Sequence, residues 1–194
     1  MNELYRMTQN PDGTYCFSPV IEKDQWAFPV GDQEYPPEDW YAATVHDLTG
    51  AKNNGYKHSG YDLNLDLFEH GDVERRLGLG IYSITYGIVY YVTDSWSDVP
   101  MMVLKYWHNN QWLFVRYAHI VTDLVKGDLV KRGQLLGTFA DWRRLGGGDH
   151  LHLDMATSPF TREWLNKSVS WVDPAPILKA HLDPVTVDEM LKKG

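Results

Sequence analysis

Two histidines separated by a single residue, His150 and His152, give the strongest chemical signal in the sequence. Side chains alternate along a β-strand, so both imidazoles are expected on one face while Leu151 and Leu153 point to the core. Two neighbouring imidazoles on a polar face favour a metal site or a proton-transfer site, and the alternative is a chance pair of surface histidines. The three glycines at 146–148 either let the backbone approach a ligand closely or form a flexible surface loop.

A second polar pair, His58 and Asp62, is separated by four positions. In an extended segment, positions 58, 60 and 62 share one face, and Gly60 leaves room between the two side chains. Two histidines and one carboxylate make three protein ligands, the usual number at a catalytic zinc whose fourth position is open. This spacing is weak evidence by itself, because an aspartate follows many histidines at that distance by chance.

Two further residues are candidates through their position relative to predicted strands. His119 follows the strand-like segment 112–117, where a lone histidine is more often a surface residue than a catalyst. Asp154 is on the same predicted face as His150 and His152, so it is placed to orient a ligand histidine from behind.

The tryptophans near these segments either line a substrate groove or, as large aromatics in a small β domain usually do, pack into the interior. They are Trp107, Trp112 and Trp142. The remaining histidines have no motif around them and are expected on the surface: His46, His70, His108 and His181.

The composition predicts one globular domain. The chain has 194 residues, of which 43% are hydrophobic and 23% charged, enough for a core of its own. A formal net charge of -8 argues against nucleic-acid binding, which usually requires a basic face. Because Cys16 is the single cysteine, neither an intramolecular disulfide nor a cysteine-based zinc site is expected. No apolar run approaches the ~18 residues of a membrane span, and residues 1–7 lack the layout of a signal peptide.

Short runs of β-branched and aromatic residues between turn residues predict many short strands. The clearest runs cover residues 81–86, 88–92, 101–107, 112–117, 134–139 and 150–154. Gly87 predicts a bulge or bend, and the polar segment 108–111 predicts a hairpin turn. Short helices are predicted at 38–44, 176–181 and 187–193. The expected fold class is therefore mostly β, an antiparallel sandwich or barrel-like sheet structure with few short helices.

In chain order, these motifs resemble those of the lysostaphin-like (LytM-type) zinc metalloendopeptidases, which cleave peptide bonds in bacterial cell-wall peptidoglycan. That family has a His-x-x-x-Asp element, commonly His-x-Gly-x-Asp, then Tyr-x-His, then His-Leu-His on a later strand. The matching segments are His58-Ser59-Gly60-Tyr61-Asp62, Tyr117-Ala118-His119 and His150-Leu151-His152. Segments 79–89 and 125–137 are similar to the family's framework, as are Phe28-Pro29-Val30 at its start and Asp173-Pro174 at its end. The resemblance covers about residues 28–178, and it is specific because the motifs occur together and in order.

The resemblance implies that His58, Asp62 and His152 bind one zinc ion per chain and that His119 and His150 are the catalytic histidines. It implies a hydrolase, a zinc metalloendopeptidase acting on a peptidoglycan peptide, either the cross-bridge or the stem peptide. The expected location is extracellular, periplasmic or at the cell wall, with a monomer assumed. The peptidase domain would span 28–178, preceded by an extended wrap over 1–27 and followed by a tail with a short helix over 179–194.

Three features depart from the family's pattern and bear on substrate preference more than on the reaction. The stretch 32–56 before the first ligand is long, Asp149 stands where a proline is common, and the loop 146–148 lacks the usual Ser and Thr.

Three other functions remain open at this level. A non-haem iron oxygenase also uses two histidines and a carboxylate, but it leaves His119 and His150 unexplained. A D-alanyl carboxypeptidase or dipeptidase shares the ligand types with a longer spacing between the first histidine and the aspartate. A catalytically silent domain that binds or activates a cell-wall amidase is argued against by the retention of all five side chains.

Overall fold

The computed structural model describes residues 5–9, 15–19, 29–31, 40–53, 55–65, 79–96, 99–141 and 150–179. Within these ranges the chain forms thirteen strands and one short helix. The strands are β1 (Tyr5–Gln9), β2 (Tyr15–Pro19), β3 (Trp40–Thr44), β4 (Gly60–Leu65), β5 (Gly80–Tyr82), β6 (Gly87–Trp96), β7 (Val99–His108), β8 (Gln111–Ala118), β9 (Ile120–Val121), β10 (Leu129–Val130), β11 (Leu135–Phe139), β12 (Leu151–Ala156) and β13 (Trp171–Val172). The helix is α1 (Ala175–Lys179). A bilayer-crossing helix, which needs far more apolar length than α1 offers, does not occur in the described ranges.

One large antiparallel sheet carries most of these strands. Its neighbour order is β10-β6-β7-β8-β12-β4-β3, and β13 adds a short pairing to β12. A second sheet has the order β5-β11-β9, and β1 pairs with β2 on its own. The predicted mostly antiparallel β architecture is confirmed. Strand β12 lies between β8 and β4, so both its neighbours are fixed by backbone hydrogen bonds.

The two faces of β12 have different chemistry, as the alternation of its sequence predicts. Leu151, Leu153 and Met155 join the main hydrophobic core. His152 and Asp154 are also buried but face the other side of the sheet. This burial on both faces means that every polar group on the second face must find a partner within the protein.

The β7–β8 hairpin closes with the predicted tight turn. His108 pairs with Gln111, leaving Asn109 and Asn110 as a two-residue loop. Their φ values are 47° and 62°, the left-handed values that a type I′ turn requires and that asparagine tolerates better than most residues.

The helix predicted over 38–44 is wrong where the structure describes it, because Trp40–Thr44 forms β3. Trp40 is 1% exposed and stacks on Phe139 at 5.5 Å between ring centroids, and Ala42 is buried too. Trp40 and Ala42 share one face of a strand. Burying that face against the core outweighs the weak stability of a helix of this length.

The structure also describes Gly87 and most of the region of the helix predicted at 176–181. Gly87 is the first residue of β6, and the bends at 84–86 separate it from β5, which belongs to another sheet. The predicted bend therefore lies just before Gly87, and there is no bulge inside one strand at this position. The helix predicted at 176–181 is confirmed in α1. Several predicted features lie outside the described residues: Phe28, His70, Trp142, the glycines at 146–148, Asp149, His181 and the helix at 187–193.

Gly60 is where β4 approaches β12 most closely. A Cβ atom at this position would lie 2.1 Å from the backbone oxygen of Leu153 and 2.6 Å from Cβ of Asp154. Real Cβ contacts do not occur at that distance, so any side chain at position 60 would push the two strands apart.

We expect Gly60→Ala to lower the free energy of unfolding by at least about 3 kcal/mol, through overpacking between two hydrogen-bonded strands. Gly133→Ala is the matched control, since its Cβ would meet nothing within 4 Å and its φ of 68° adds only backbone strain, about 1–2 kcal/mol. Chemical denaturation of both variants measures the difference. Equal losses in the two variants would contradict the close approach at Gly60.

Candidate functional site

Antiparallel pairing brings the sequence motifs together at one end of the central strands. His152 of β12 pairs with Asp62 of β4 on one side and with Ala118 of β8 on the other. His119 directly follows Ala118, and His58 lies just before β4, where it forms an isolated bridge with Asp47. Residues separated by about ninety positions in sequence are therefore direct neighbours across the sheet.

Three side chains converge on one point with atoms that can bind a metal: His58 Nε2, Asp62 Oδ1 and His152 Nδ1. Asp62 Oδ1 lies 3.2 Å from His58 Nε2 and 2.9 Å from His152 Nδ1, and the two nitrogens are 3.0 Å apart. Ligand atoms about 2.0 Å from a tetrahedral zinc would be roughly 3.3 Å apart. The triangle of donors is thus close to the size that zinc requires.

In each of the two histidine rings, one nitrogen faces this point and the other faces away from it. The hydrogen bond of the outer nitrogen bears on whether the inner nitrogen has a free lone pair. His58 Nδ1 lies 2.8 Å from the carbonyl oxygen of Gly60, and His152 Nε2 lies 3.0 Å from Asp154 Oδ2. A carbonyl and a carboxylate only accept, so each of these outer nitrogens has an acceptor for its hydrogen, although Asp62 Oδ1 offers His152 Nδ1 an acceptor as well. When the neutral rings carry their hydrogens on the outer nitrogens, His58 Nε2 and His152 Nδ1 are unprotonated, which is the state that binds metal. The donor set fits a zinc ion.

A tight loop fixes His58 from behind. Asp47 and His58 exchange two backbone hydrogen bonds of 2.9 Å. The carboxylate of Asp47 accepts hydrogen bonds from the side chain and backbone of Thr49 and from the backbone of Gly50 and Lys52. The Thr49 hydroxyl and these amides hold the pKa of Asp47 well below its ordinary value. The sequence analysis did not select Asp47, although Asp-x-Thr-Gly is a recognisable side-chain-capped turn.

His119 has a backbone conformation that is uncommon for residues other than glycine, with φ at 67°. Its amide donates to the carbonyl of Pro100 at 2.9 Å, and its carbonyl accepts from the amide of Ala140 at 2.8 Å. Tyr117, two residues earlier, is fully buried, and its hydroxyl accepts from the amide of Ile84. The surrounding structure therefore maintains a conformation that costs about 1–3 kcal/mol on its own.

The ring of His119 contacts the ring of His150, with 4.3 Å between centroids. His150 Nε2 lies 3.4 Å from Asp62 Oδ1. His150 therefore also faces the group formed by His58, Asp62 and His152, the metal-binding triangle of the proposal below. Four imidazoles and one carboxylate thus meet at this end of the sheet. His150 is half-buried, whereas His119 is 5% exposed.

Burial and neighbouring charges shift the pKa values of the clustered residues in different directions. Burial and the neighbouring His150 lower the pKa of His119, which keeps that ring neutral at pH 7. Burial opposes ionisation of Asp62, but the hydrogen bonds with His152 and His58 outweigh it and keep the pKa of that carboxyl well below the usual range. For His152, burial lowers the pKa and the carboxylate of Asp154 raises it, with a net rise.

Asp154 and Arg116 form a buried polar pair behind the ring of His152. Asp154 Oδ2 accepts hydrogen bonds from His152 Nε2, from Ser59 Oγ at 2.7 Å and from the guanidinium of Arg116. Asp154 was selected from its strand position, but Arg116 was missed. The available signal was an arginine in the middle of an otherwise apolar strand, β8.

Two aromatic residues that the sequence analysis did not select border the site. The ring of Trp164 lies 4.9 Å from that of His152 and 5.7 Å from that of His58. Tyr56 is 55% exposed, and its ring centroid lies 6.0 Å from that of His58. Burial and the charge of Asp62 raise the pKa of Tyr56.

The other candidates from the sequence lie elsewhere or are engaged in packing. Trp107 and Trp112 contact each other edge to face at 5.2 Å, as expected for packing residues. Of the histidines expected on the surface, His46 and His108 are half-buried. The ring nitrogen Nδ1 of His46 donates to the carbonyl of Ser59 at 2.6 Å, so this residue also supports the segment that carries His58.

No protein-family model matches the sequence, and no curated protein matches it. Solved structures do match. A zinc-containing peptidase from Vibrio cholerae is 22% identical with a TM-score of 0.51, and the match covers 92% of this chain and 47% of that one. The catalytic domain of the antimicrobial peptidase lysostaphin from Staphylococcus simulans is 20% identical with a TM-score of 0.50, over 72% of this chain and 92% of that one. The catalytic domain of the prophage-encoded M23 protein EnpA from Enterococcus faecalis is 19% identical with a TM-score of 0.50, over 76% and 95%.

This chain spans about half the length of the Vibrio cholerae peptidase but nearly the whole of the two catalytic domains. At identities near 20%, such matches concern the fold. Together with the antiparallel sheet and the order of its strands, they show that this chain has the fold of the lysostaphin-like (LytM-type) peptidases.

Proposed function

We propose that this protein is a zinc-dependent metalloendopeptidase that hydrolyses peptide bonds of bacterial peptidoglycan, in the cross-bridge or the stem peptide. The observation that carries the proposal is the convergence of His58 Nε2, Asp62 Oδ1 and His152 Nδ1 within about 3 Å of one another. Two more imidazoles, those of His119 and His150, stand beside this set. A three-ligand site of this kind leaves a coordination position for water or substrate.

His58, Asp62 and His152 would hold the metal. When bound, zinc supplies a Lewis acid for the scissile carbonyl and lowers the pKa of a water molecule. The single negative charge of Asp62 only partly neutralises the divalent ion, so the site stays electrophilic. Asp154 and the carbonyl of Gly60 keep the two ligand rings oriented through their outer N–H groups.

His119 and His150 are the proposed proton-transfer residues. The lowered pKa of His119 favours its neutral form at pH 7, in which the ring can donate a hydrogen bond to a developing negative charge. His150 is half-buried, so its ring is accessible to a substrate beside the metal-binding triangle. One ring would take the proton of the attacking water, and the other would stabilise the oxyanion or protonate the leaving amine.

The choice of a peptide substrate is supported by the fold and by the carboxylates of the site. Two of the matched structures are described as peptidases, one of them as zinc-containing and the other as antimicrobial. A glycosidase needs two carboxyl groups flanking the sugar. Of the three carboxylates around this site, Asp62 is held by histidines, Asp154 is fully buried behind His152, and Asp47 is held by the amides of its own loop. The peptidoglycan substrate and an extracellular, periplasmic or cell-wall location follow from the motif resemblance and belong to this proposal, and a monomer is assumed.

The first expected outcome concerns metal content. The purified protein should hold about one zinc per chain, and His58→Ala, Asp62→Ala and His152→Ala should each lower that content in elemental analysis, because each removes one of three ligands. His108→Ala is the control, since His108 lies at the β7–β8 hairpin end. Full zinc retention in His152→Ala would refute the ligand assignment.

The second expected outcome separates binding from turnover. His119→Ala and His150→Ala should keep the fold and the zinc but lose turnover by ~10²–10⁴, the usual effect of removing a general acid or base. Steady-state hydrolysis and zinc content are measured on the same preparations. Near wild-type rates in both variants would show that neither ring transfers protons in the reaction.

The third expected outcome concerns the reaction type. Digestion of peptidoglycans of known cross-bridge composition should create new amino and carboxyl termini on amino-acid residues and no new reducing sugars, as mass spectrometry of the products reports. Activity should disappear with a chelator and return with zinc. It should also fall on the acid side, because ligand histidines bind metal only when neutral.

Two product patterns would contradict the endopeptidase assignment. Free muramoyl ends with intact peptides would indicate an amidase that cuts the sugar–peptide link. Release of single terminal residues alone would indicate a carboxypeptidase.

A further inference from the structure

Arg116 is a charged side chain in the interior of the protein. It is fully buried in β8, directly opposite Asp154 in the β8–β12 pairing. Its Nη2 donates to Asp154 Oδ2, and its Nη1 donates to the backbone carbonyl of Glu163 at 2.9 Å. A buried ion pair is weak evidence for stability, because apolar residues of similar volume often do as well. The position of the pair therefore calls for a further explanation.

Aromatic rings surround the guanidinium and restrict where it can point. Its central carbon lies 5.2 Å from the ring centroid of Phe160, 5.5 Å from that of Trp164 and 5.6 Å from that of Trp171. Such contacts stabilise a desolvated cation and hold it in place. Ser59 Oγ donates to the same oxygen, Asp154 Oδ2, from the segment next to β4. Arg116 and Ser59 thus hold Asp154 from two directions and keep its Oδ2 within hydrogen-bond distance of His152 Nε2.

His152 has acceptors on both sides of its ring, and only one protonation pattern suits a metal. Nε2 faces Asp154 Oδ2 at 3.0 Å. Nδ1 faces Asp62 Oδ1 at 2.9 Å and His58 Nε2 at 3.0 Å. A neutral ring with its hydrogen on Nδ1 would satisfy the second set of acceptors but would block the nitrogen that the metal needs. A neutral ring with its hydrogen on Nε2 leaves Nδ1 open.

We propose that Arg116 and Asp154 act together as a positioning pair that selects the Nε2–H tautomer of His152 and so prepares Nδ1 to bind metal. Arg116 touches neither substrate nor metal and acts through Asp154. The proposal rests on the metal site of the proposed function. It concerns a property of the metal-free protein, however, and can be tested without zinc or activity.

The experiment reads the tautomer directly. Long-range ¹⁵N–¹H NMR spectra of the chelator-treated protein are recorded at roughly pH 9, well above the ordinary pKa of an imidazole, with His152→Gln used to assign the signals of His152. The variants are Arg116→Met and the double variant Arg116→Met/Asp154→Leu. Arg162→Met is the matched control, because Arg162 is exposed and binds Tyr91 and Thr93 instead. Thermal unfolding checks that each variant folds.

We expect the hydrogen of His152 on Nε2 in the wild type and in Arg162→Met, and mainly on Nδ1 in both Arg116 variants. Zinc dissociation constants, measured by competition with a chromophoric chelator, should be about 10–100-fold weaker in the same variants and unchanged in the control. The double variant removes both buried charges, so it is decisive if Arg116→Met alone does not fold.

Three results would overturn the inference: a wild-type His152 protonated on Nδ1, an unchanged Nε2–H tautomer in a folded Arg116→Met, or an unchanged Nε2–H tautomer in the double variant. A wild type with the Nε2–H tautomer but no zinc binding would uphold the positioning role while refuting the proposed function.

Discussion

The pairing of β12 with β4 and β8 is the constraint on which the rest of the site depends. It places His152 opposite Asp62 and Ala118, and His119 directly follows Ala118. The backbone pairing alone therefore sets the positions of His152, Asp62 and His119 in the site. A strand has a period of two, so a slip of one residue would turn His152 into the core and Leu153 toward the metal-binding triangle. The apolar residues of β12 oppose such a slip, because Leu151 and Leu153 are completely buried. Core packing and site geometry are therefore specified by the same register.

This arrangement accumulates polar groups in the interior, and each of its three carboxylates has a defined partner, although Oδ1 of Asp154 accepts no hydrogen bond from the described residues. Asp62 lies within ion-pair distance of His58, His150 and His152, while Asp154 is held by Arg116. Asp47 is held by the amides of its own loop. Polar groups in such surroundings are costly unless they are paired. The site is thus one connected network, in which the group that holds each ligand is itself held by another group.

Much of this could be predicted from the sequence, because the motifs and the strand alternation are local. The alternation placed His150 and His152 on one face, and the spacing of His58, Gly60 and Asp62 indicated their common face. The roles of these residues stay predictions until metal and turnover are measured. Arg116 and Trp164 were not selected, since their importance comes from contacts across the sheet and from a later loop, although a charged residue among the apolar residues of β8 was a local signal for Arg116. Trp40–Thr44 was mispredicted as a helix because the core that buries Trp40 is formed by residues far along the chain.

The backbone of His119 has an evolutionary consequence. At a φ of 67°, glycine would be the residue with the lowest conformational strain at this position, and asparagine would also be tolerated. Selection for a more stable protein alone would therefore favour losing the imidazole. The proton transfer proposed for His119 needs the imidazole, so stability and the proposed chemistry make opposite demands on a single residue. In a variant that no longer needed the proposed chemistry, glycine at position 119 would relieve the backbone strain that histidine carries there.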